Sequence, residues 1–249
     1  MYYETRAHLT HRDREFIVET IGKTSNERSA LTRLMDDPFT VTELLHNKQL
    51  FERSMTSPPH FIPISSQLFF YLFVYQALDR KHIADDDVVD YVSGICVEFR
   101  SSDSAWHFNS PGEGKSVFLV DLLKLMETID KAQQYYLRRY IGNVTLFLTG
   151  FFPDFIFHRS KTLGAPSIKY YESIGRSQYE SAVDDSKTYD AEAGPVLETL
   201  ANRFVEIRSA INIFNDSYLH LNSHRHSLEA IERQAATLDE ESFRQSLES

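Results

Sequence analysis

Eight apolar residues, Leu197, Leu200, Phe204, Ile207, Ile211, Phe214, Tyr218 and Leu221, recur at alternating steps of three and four. A 3.6-residue turn brings such positions onto one face, so the spacing predicts a helix with a continuous apolar seam. Gly194 and Pro195 place its start, because proline's fixed φ suits the first helical position and its missing N–H is not needed there. A single helix over 195–221 would run roughly 40 Å and needs other helices along its whole length. Beside the seam stand Val196, Ala201, Arg203, Arg208, Ala210, Asn215 and Ser217. They lack the alternating Glu and Lys that select a partner coil in water, so the helix belongs inside the protein's own bundle.

The rest of the chain reads as helix as well. Thr10 with Asp13 forms a capping box whose acid is one carbon short, opening a helix that Gly22 closes. Ser25 caps the next, which stops before Asp37-Pro38. A capping box of Thr40 and Glu43, with a staple of Phe39 and Leu44, opens a third that runs to about Ser54. Prolines 58, 59 and 63 bar any helix from crossing 56–63, which makes that stretch a boundary. Helices follow over about 65–80 and from Asp85-Asp86-Asp87 to Phe99. A Ser- and Gly-rich loop spans 101–114. Helix resumes near Lys115, and Val117–Leu125 is apolar nearly all round, which predicts a central position.

A further helix covers 132–150, with Phe151–His158 as a tight connection around Pro153. Over 167–183, Tyr171, Gly175, Tyr179 and Ala182 share one face, and the two small residues leave room for another helix between the rings. A polar linker over 184–194 then leads into the seam. The reading is an all-α bundle of eight to ten helices around a long heptad-patterned helix. It divides into an N-terminal segment 1–55, a main bundle 64–221 and a helical or partly disordered tail 222–249, within one structural domain overall.

Charge and composition exclude several classes of function. With 36 acidic against 26 basic residues the net charge is −10, which disfavours broad binding to nucleic acid or an anionic membrane. The apolar runs at 68–75 and 144–152 fall short of the roughly 20 residues a membrane span needs. Cys96 is the lone cysteine, so no internal disulfide forms, and the charged first twenty residues do not resemble a signal peptide. The expectation is a cytoplasmic protein, with the C-terminal helices available for a homodimer or a protein partner.

Four constellations invite a chemical reading. Asp86, Asp87 and Asp90 fit the pattern D-D-x-x-D, which sets two carboxylates one turn apart where they can share Mg²⁺. This resembles the first aspartate-rich motif of class I terpenoid synthases and prenyltransferases, all-helical enzymes with aromatic pockets. The resemblance covers five residues, and the second metal motif such enzymes need is missing. Capping of a helix start is the competing role of these aspartates. Glu43 and His46 have the E-x-x-H spacing of di-iron bundles without a second copy. His220, His224 and His226 can present two imidazoles one turn apart. Gly112-Glu113-Gly114-Lys115-Ser116 has the end of a phosphate-binding loop but not its first glycine.

The aromatic middle is the remaining candidate. If helices 132–150 and 167–183 pack together, Tyr135, Arg138, Arg139, Asp154, His158, Tyr171, Glu172, Arg176 and Tyr179 converge on apolar walls suited to a small-molecule ligand. The leading expectation is therefore a binding or interaction protein without a complete catalytic constellation. The alternative is a helical-bundle enzyme, Mg²⁺-dependent through Asp86, Asp87 and Asp90.

Overall fold

A computed structural model describes residues 6–56, 64–99 and 119–218 of the chain. The 101–114 loop, the glycines at 112 and 114, His220, His224, His226 and the tail from 222 lie outside the described residues. Among the described residues the chain is all helix and contains no strand. A 3₁₀ turn at Arg6–His8 precedes α1 (His11–Ile21), α2 (Ser25–Leu34), α3 (Pro38–Leu45), α4 (Lys48–Thr56), α5 (Ser66–Asp79) and α6 (Asp86–Phe99). Then come α7 (Leu119–Leu125), α8 (Lys131–Phe151), α9 (Pro153–Leu163), α10 (Ile168–Tyr189), α11 (Gly194–Asn202) and α12 (Phe204–Tyr218). Among the described residues there are twelve α-helices against the eight to ten expected, because three predicted segments are divided differently.

The seamed helix is the main correction. It breaks at Arg203, whose backbone sits at φ −112° and ψ 21°. The seam itself is buried from Leu197 to Phe214, but its two halves meet different neighbours. α11 packs on α10 and α6, whereas α12 packs on α8 and α5. A bend lets each half follow its own partner, and a three-and-four pattern looks the same whether the axis is straight or bent. The backbone bridges the break, since Arg203 N–H donates to Thr199 O at 2.9 Å and Ile207 N–H donates to Arg203 O at 2.9 Å.

Local caps explain the other boundaries. Thr24, not Ser25, caps α2, and Glu27 completes its box by accepting from the Thr24 N–H at 3.1 Å. The Thr40–Glu43 box does not form. Asp37 caps α3 instead, accepting from the Thr40 N–H and hydroxyl at 2.9 and 2.6 Å, with Pro38 at the first helical turn. Phe39 is 84% exposed, so no staple forms. The stretch expected as one helix to Ser54 divides at His46-Asn47 into α3 and α4. Phe152 alone separates α8 from α9, because Pro153 starts a helix as readily as it ends one. The supposed linker is largely helical, with α10 continuing to Tyr189. α7 is peripheral, not central: only Leu122 is buried, and Val120 and Leu125 are nearly half exposed.

α8 forms the centre. From Ile141 to Phe151 every residue is buried, and α10 lies along it with Gly175 against Thr145 at a close contact. A Cβ at Gly175 would fall 2.6 Å from the Phe204 ring and would collide with Thr145 Oγ1. Only a residue without a side chain lets the axes come that close. Around this pair the hydrophobic core is continuous from Phe16 to Phe214. Phe73 meets Phe214 edge-on at 4.9 Å and stacks on Phe151 at 5.9 Å. Asp13 ties the N-terminal helices to this core. One carboxylate oxygen accepts from the Thr10 N–H at 2.9 Å, and the other accepts from the Ser65 N–H at 2.7 Å at the start of α5.

Among the described residues no single helix is long and apolar enough to cross a membrane. α8 and α9 together meet that length and composition but bend by 91° between them, and the apolar half of α8 is enclosed by the bundle.

Candidate functional site

The aspartate-rich turn holds an arginine. Asp85 is its capping residue, with Oδ1 accepting from the Asp87 and Val88 N–H groups at 3.1 Å each. The three motif carboxylates turn instead toward Arg6. Its guanidinium lies 3.5 Å from Asp86, 2.6 Å from Asp87 and 2.5 Å from Asp90. Burial works against the Arg6 charge, and the carboxylates of Asp90 and Asp87 outweigh it. Asp86 is also 2.8 Å from His46 Nε2 and accepts from the Tyr71 hydroxyl at 3.4 Å. His46 stacks on Tyr75 at 4.2 Å while Glu43 is exposed, so the E-x-x-H pair does not converge. Among the described residues no group of three His, Cys, Asp or Glu is arranged to hold a metal ion.

Tyr135, Arg139 and Tyr179 come together in a second place, inside the bundle. The Tyr91 and Tyr179 hydroxyls both donate to Asn143 Oδ1, at 3.1 and 2.9 Å. Arg139 Nε donates to the Tyr91 oxygen at 3.3 Å, and Nη1 donates to Tyr135 at 3.2 Å and to Asp190 at 2.9 Å. All three tyrosines are fully buried, so these polar groups serve one another. Asn143 and Tyr91 are not among the candidate site residues read from the sequence, because neither type stands out on an apolar helix.

This network implies a pH dependence. Burial raises the Tyr91 hydroxyl, with Arg139 opposing, and pushes Tyr135 up to about 12. Burial raises Tyr71 too, helped by Asp86 and Asp90. The unfolded chain loses these protons near pH 10 while the folded chain keeps them. The contribution is therefore complete below pH 10 and is lost as pH rises above it, that of Tyr135 by about pH 12. Urea midpoints should fall across that window, each retained proton adding up to about 1.4 kcal/mol per pH unit to the slope. Tyrosinate absorbance that rises without any loss of stability would contradict the buried network.

The remaining predicted residues disperse. Arg138 lies 3.2 Å from Asp185 and Arg176 lies 3.9 Å from Glu180. Glu172 is buried and accepts from Arg208 Nη2. Asp154 is half-buried in the first turn of α9, and His158 is exposed. Cys96 is buried and burial pushes its thiol up, away from the reactive thiolate.

Of the nine, Tyr171 lines a cavity formed by described residues. A pocket of about 370 Å³ opens between α7, α8, α9 and α10. Its walls are Leu119, Val120, Val144, Leu148, Phe155, Ile156, Ala165 and Pro166, and its polar groups are Asp121, Thr145, Arg159, Tyr170 and Tyr171. Thr145 spends its hydroxyl on the Ile141 and Gly142 carbonyls. The Tyr171 hydroxyl makes no hydrogen bond with a described residue. Burial raises it, and the charge of Arg159 pulls it back down. Reading Phe151–His158 as a connection hid this site, since α9 is one of its walls.

A second cleft, of about 410 Å³, lies over Arg6 and is lined by Arg14, Asp36, Thr42, Asp87 and Asp90 among others. Its charged walls are already paired in part, Arg6 with the two aspartates and Arg14 with Asp36 at 3.7 Å. Compared with family models, with curated proteins and with solved structures, the chain matches none.

Proposed function

We propose that this chain is a binding protein for an amphipathic small molecule, held in the pocket between α7, α8, α9 and α10. What supports the reading is the pocket's chemistry: a cavity of about 370 Å³ with eight apolar walls, Arg159 and Asp121 at its edge, and a tyrosine hydroxyl that makes no hydrogen bond with a described residue. That volume lies in the range of about 300–1,000 Å³ usual for small-molecule sites. Apolar walls with a few polar groups hold a hydrocarbon body and orient a polar head. Arg159 and Tyr171 together suit a carboxylate, the guanidinium supplying a charge-assisted contact and the hydroxyl a donor.

Calorimetric titration with dodecanoate tests this directly. Ala165→Trp should fill the rim and weaken binding at least tenfold while leaving the melting temperature unchanged, because Ala165 is partly exposed and outside the core. Arg159→Gln should weaken dodecanoate by about tenfold or more and leave dodecanol binding nearly unaltered. Equal dodecanoate affinity in the wild-type and Ala165→Trp chains would place the ligand elsewhere.

A further inference from the structure

The pocket between α7, α8, α9 and α10 has an outer and an inner end. At the outer end Val120, Pro166 and Tyr170 are exposed to water. At the inner end Val144, Thr145 and Leu148 of α8 are buried. A hydrocarbon that enters past the first group runs toward the second.

The pairing of α8 with α10 orders the inner residues along that path. A Cβ on Gly142 would meet the Tyr179 ring, and one on Gly175 would meet Thr145. α10 therefore runs antiparallel to α8, and Tyr171, one turn before Gly175, falls near the level of Leu148. Val144 lies one turn beyond Leu148, about 6 Å farther in at roughly 1.5 Å per residue. The packing behind this end is tight. Gly175 and the Phe204 ring press against Thr145, and Phe204 is fully buried. An interior packed this closely does not open for extra methylenes without strain.

Volume then limits length. The cavity of about 370 Å³ holds roughly a dozen non-hydrogen atoms at about 30 Å³ each, the share of a water molecule in the liquid. That is the size of decanoate.

We infer that the pocket measures chain length: it takes a monocarboxylate of about ten to twelve carbons, with its head beside Tyr171 and its methyl end against Val144, and gains nothing from a longer chain. The length limit rests on the binding role proposed for the pocket. An open apolar groove would behave otherwise, because each further methylene it buried would tighten binding about fourfold.

The test is calorimetric titration of the full chain with even-numbered saturated acids from hexanoate to hexadecanoate, each below its micelle concentration. Affinity should rise about fourfold per carbon as far as decanoate, flatten at dodecanoate and be no higher for hexadecanoate. In an open groove the step from dodecanoate to hexadecanoate would add about 200-fold, and a rise of that kind would overturn the length limit. Val144→Ala removes two methyl groups from the inner end. Tetradecanoate should then gain at least about fourfold on dodecanoate, relative to the wild-type ratio. Val144→Leu should act in the opposite sense, with dodecanoate losing at least about fourfold against octanoate. The ratio of two ligands on one chain does not depend on how much of that chain is folded, so a loss of stability in either variant leaves the readout intact. Wild-type ratios in both variants would overturn Val144 as the end wall. Binding that Ala165→Trp weakens, but that keeps rising with chain length, removes the length limit and leaves the pocket's binding role standing. No binding at any length overturns both.

Discussion

Arg208→Met should destabilise the protein by about 3–5 kcal/mol, because it leaves the Glu172 carboxylate buried with no cation beside it. Arg208 is 5% and Glu172 9% exposed, and the guanidinium donates to the carboxylate across the α10–α12 contact. The pair is held in place rather than rich in bonds: Arg208 Nε is buried without a hydrogen-bond partner among the described residues. Replacing both residues by apolar ones of similar volume should therefore recover most of the loss. Glu172→Leu with Arg208→Met is expected within about 1 kcal/mol of wild type or above it. Urea unfolding of the two single variants and the double variant reads the coupling. Equal losses in single and double variants would show that Arg208 acts through packing alone. As a contrast, Arg176→Ala should cost under about 1 kcal/mol, since its pairing with Glu180 at 3.9 Å is exposed to water.

Gly175→Val should be nearly as damaging. On helix propensity alone, replacing a mid-helix glycine by alanine gains about 1 kcal/mol. The site reverses that gain. A Cβ there would lie 2.6 Å from the Phe204 ring and press on the Thr145 hydroxyl. Phe204 and Thr145 are fully buried, and Thr145 is bonded to its own helix, so neither side chain has room to withdraw. Overpacking of this kind costs about 1–3 kcal/mol, and a β-branched side chain belongs at or above the top of that range. Gly175→Ala should cost less, and Gly175→Ala combined with Phe204→Leu should recover part of it by opening space on the facing helix. A Gly175→Val chain as stable as wild type in urea would mean that α8 and α10 sit farther apart than described.

The reach of sequence reasoning follows from the distance over which each signal acts. Tyr171, Gly175, Tyr179 and Ala182 share a face whatever surrounds them, and Gly175 does sit at a close helix contact. Thr10 with Asp13 is equally local, and the box forms in full despite the shorter acid. The second bond of Asp13, to Ser65, spans 52 positions and leaves no pattern in either segment. Asp86, Asp87 and Asp90 show the same limit: their spacing is plain, yet what they face is Arg6, eighty or more residues away. No motif joins those positions. The pocket was least legible, because its walls come from four helices and its polar groups, Arg159 and Tyr171, are twelve residues apart on two of them.

By itself the sequence determined that the described residues are helical, where most of their helices begin, and which face is buried on α6, on α10 and along the seam, because caps and apolar periodicity act within a few turns. The tertiary structure alone decided that the apolar seam bends at Arg203, that Arg6 occupies the aspartate-rich turn, and that Tyr135, Arg139 and Tyr179 close on Asn143 and Tyr91 while Tyr171 lines a cavity. Helix periodicity records which residues turn inward. The approach of one helix to another depends on side chains distant in sequence, and that approach places a bend, an ion pair or a pocket.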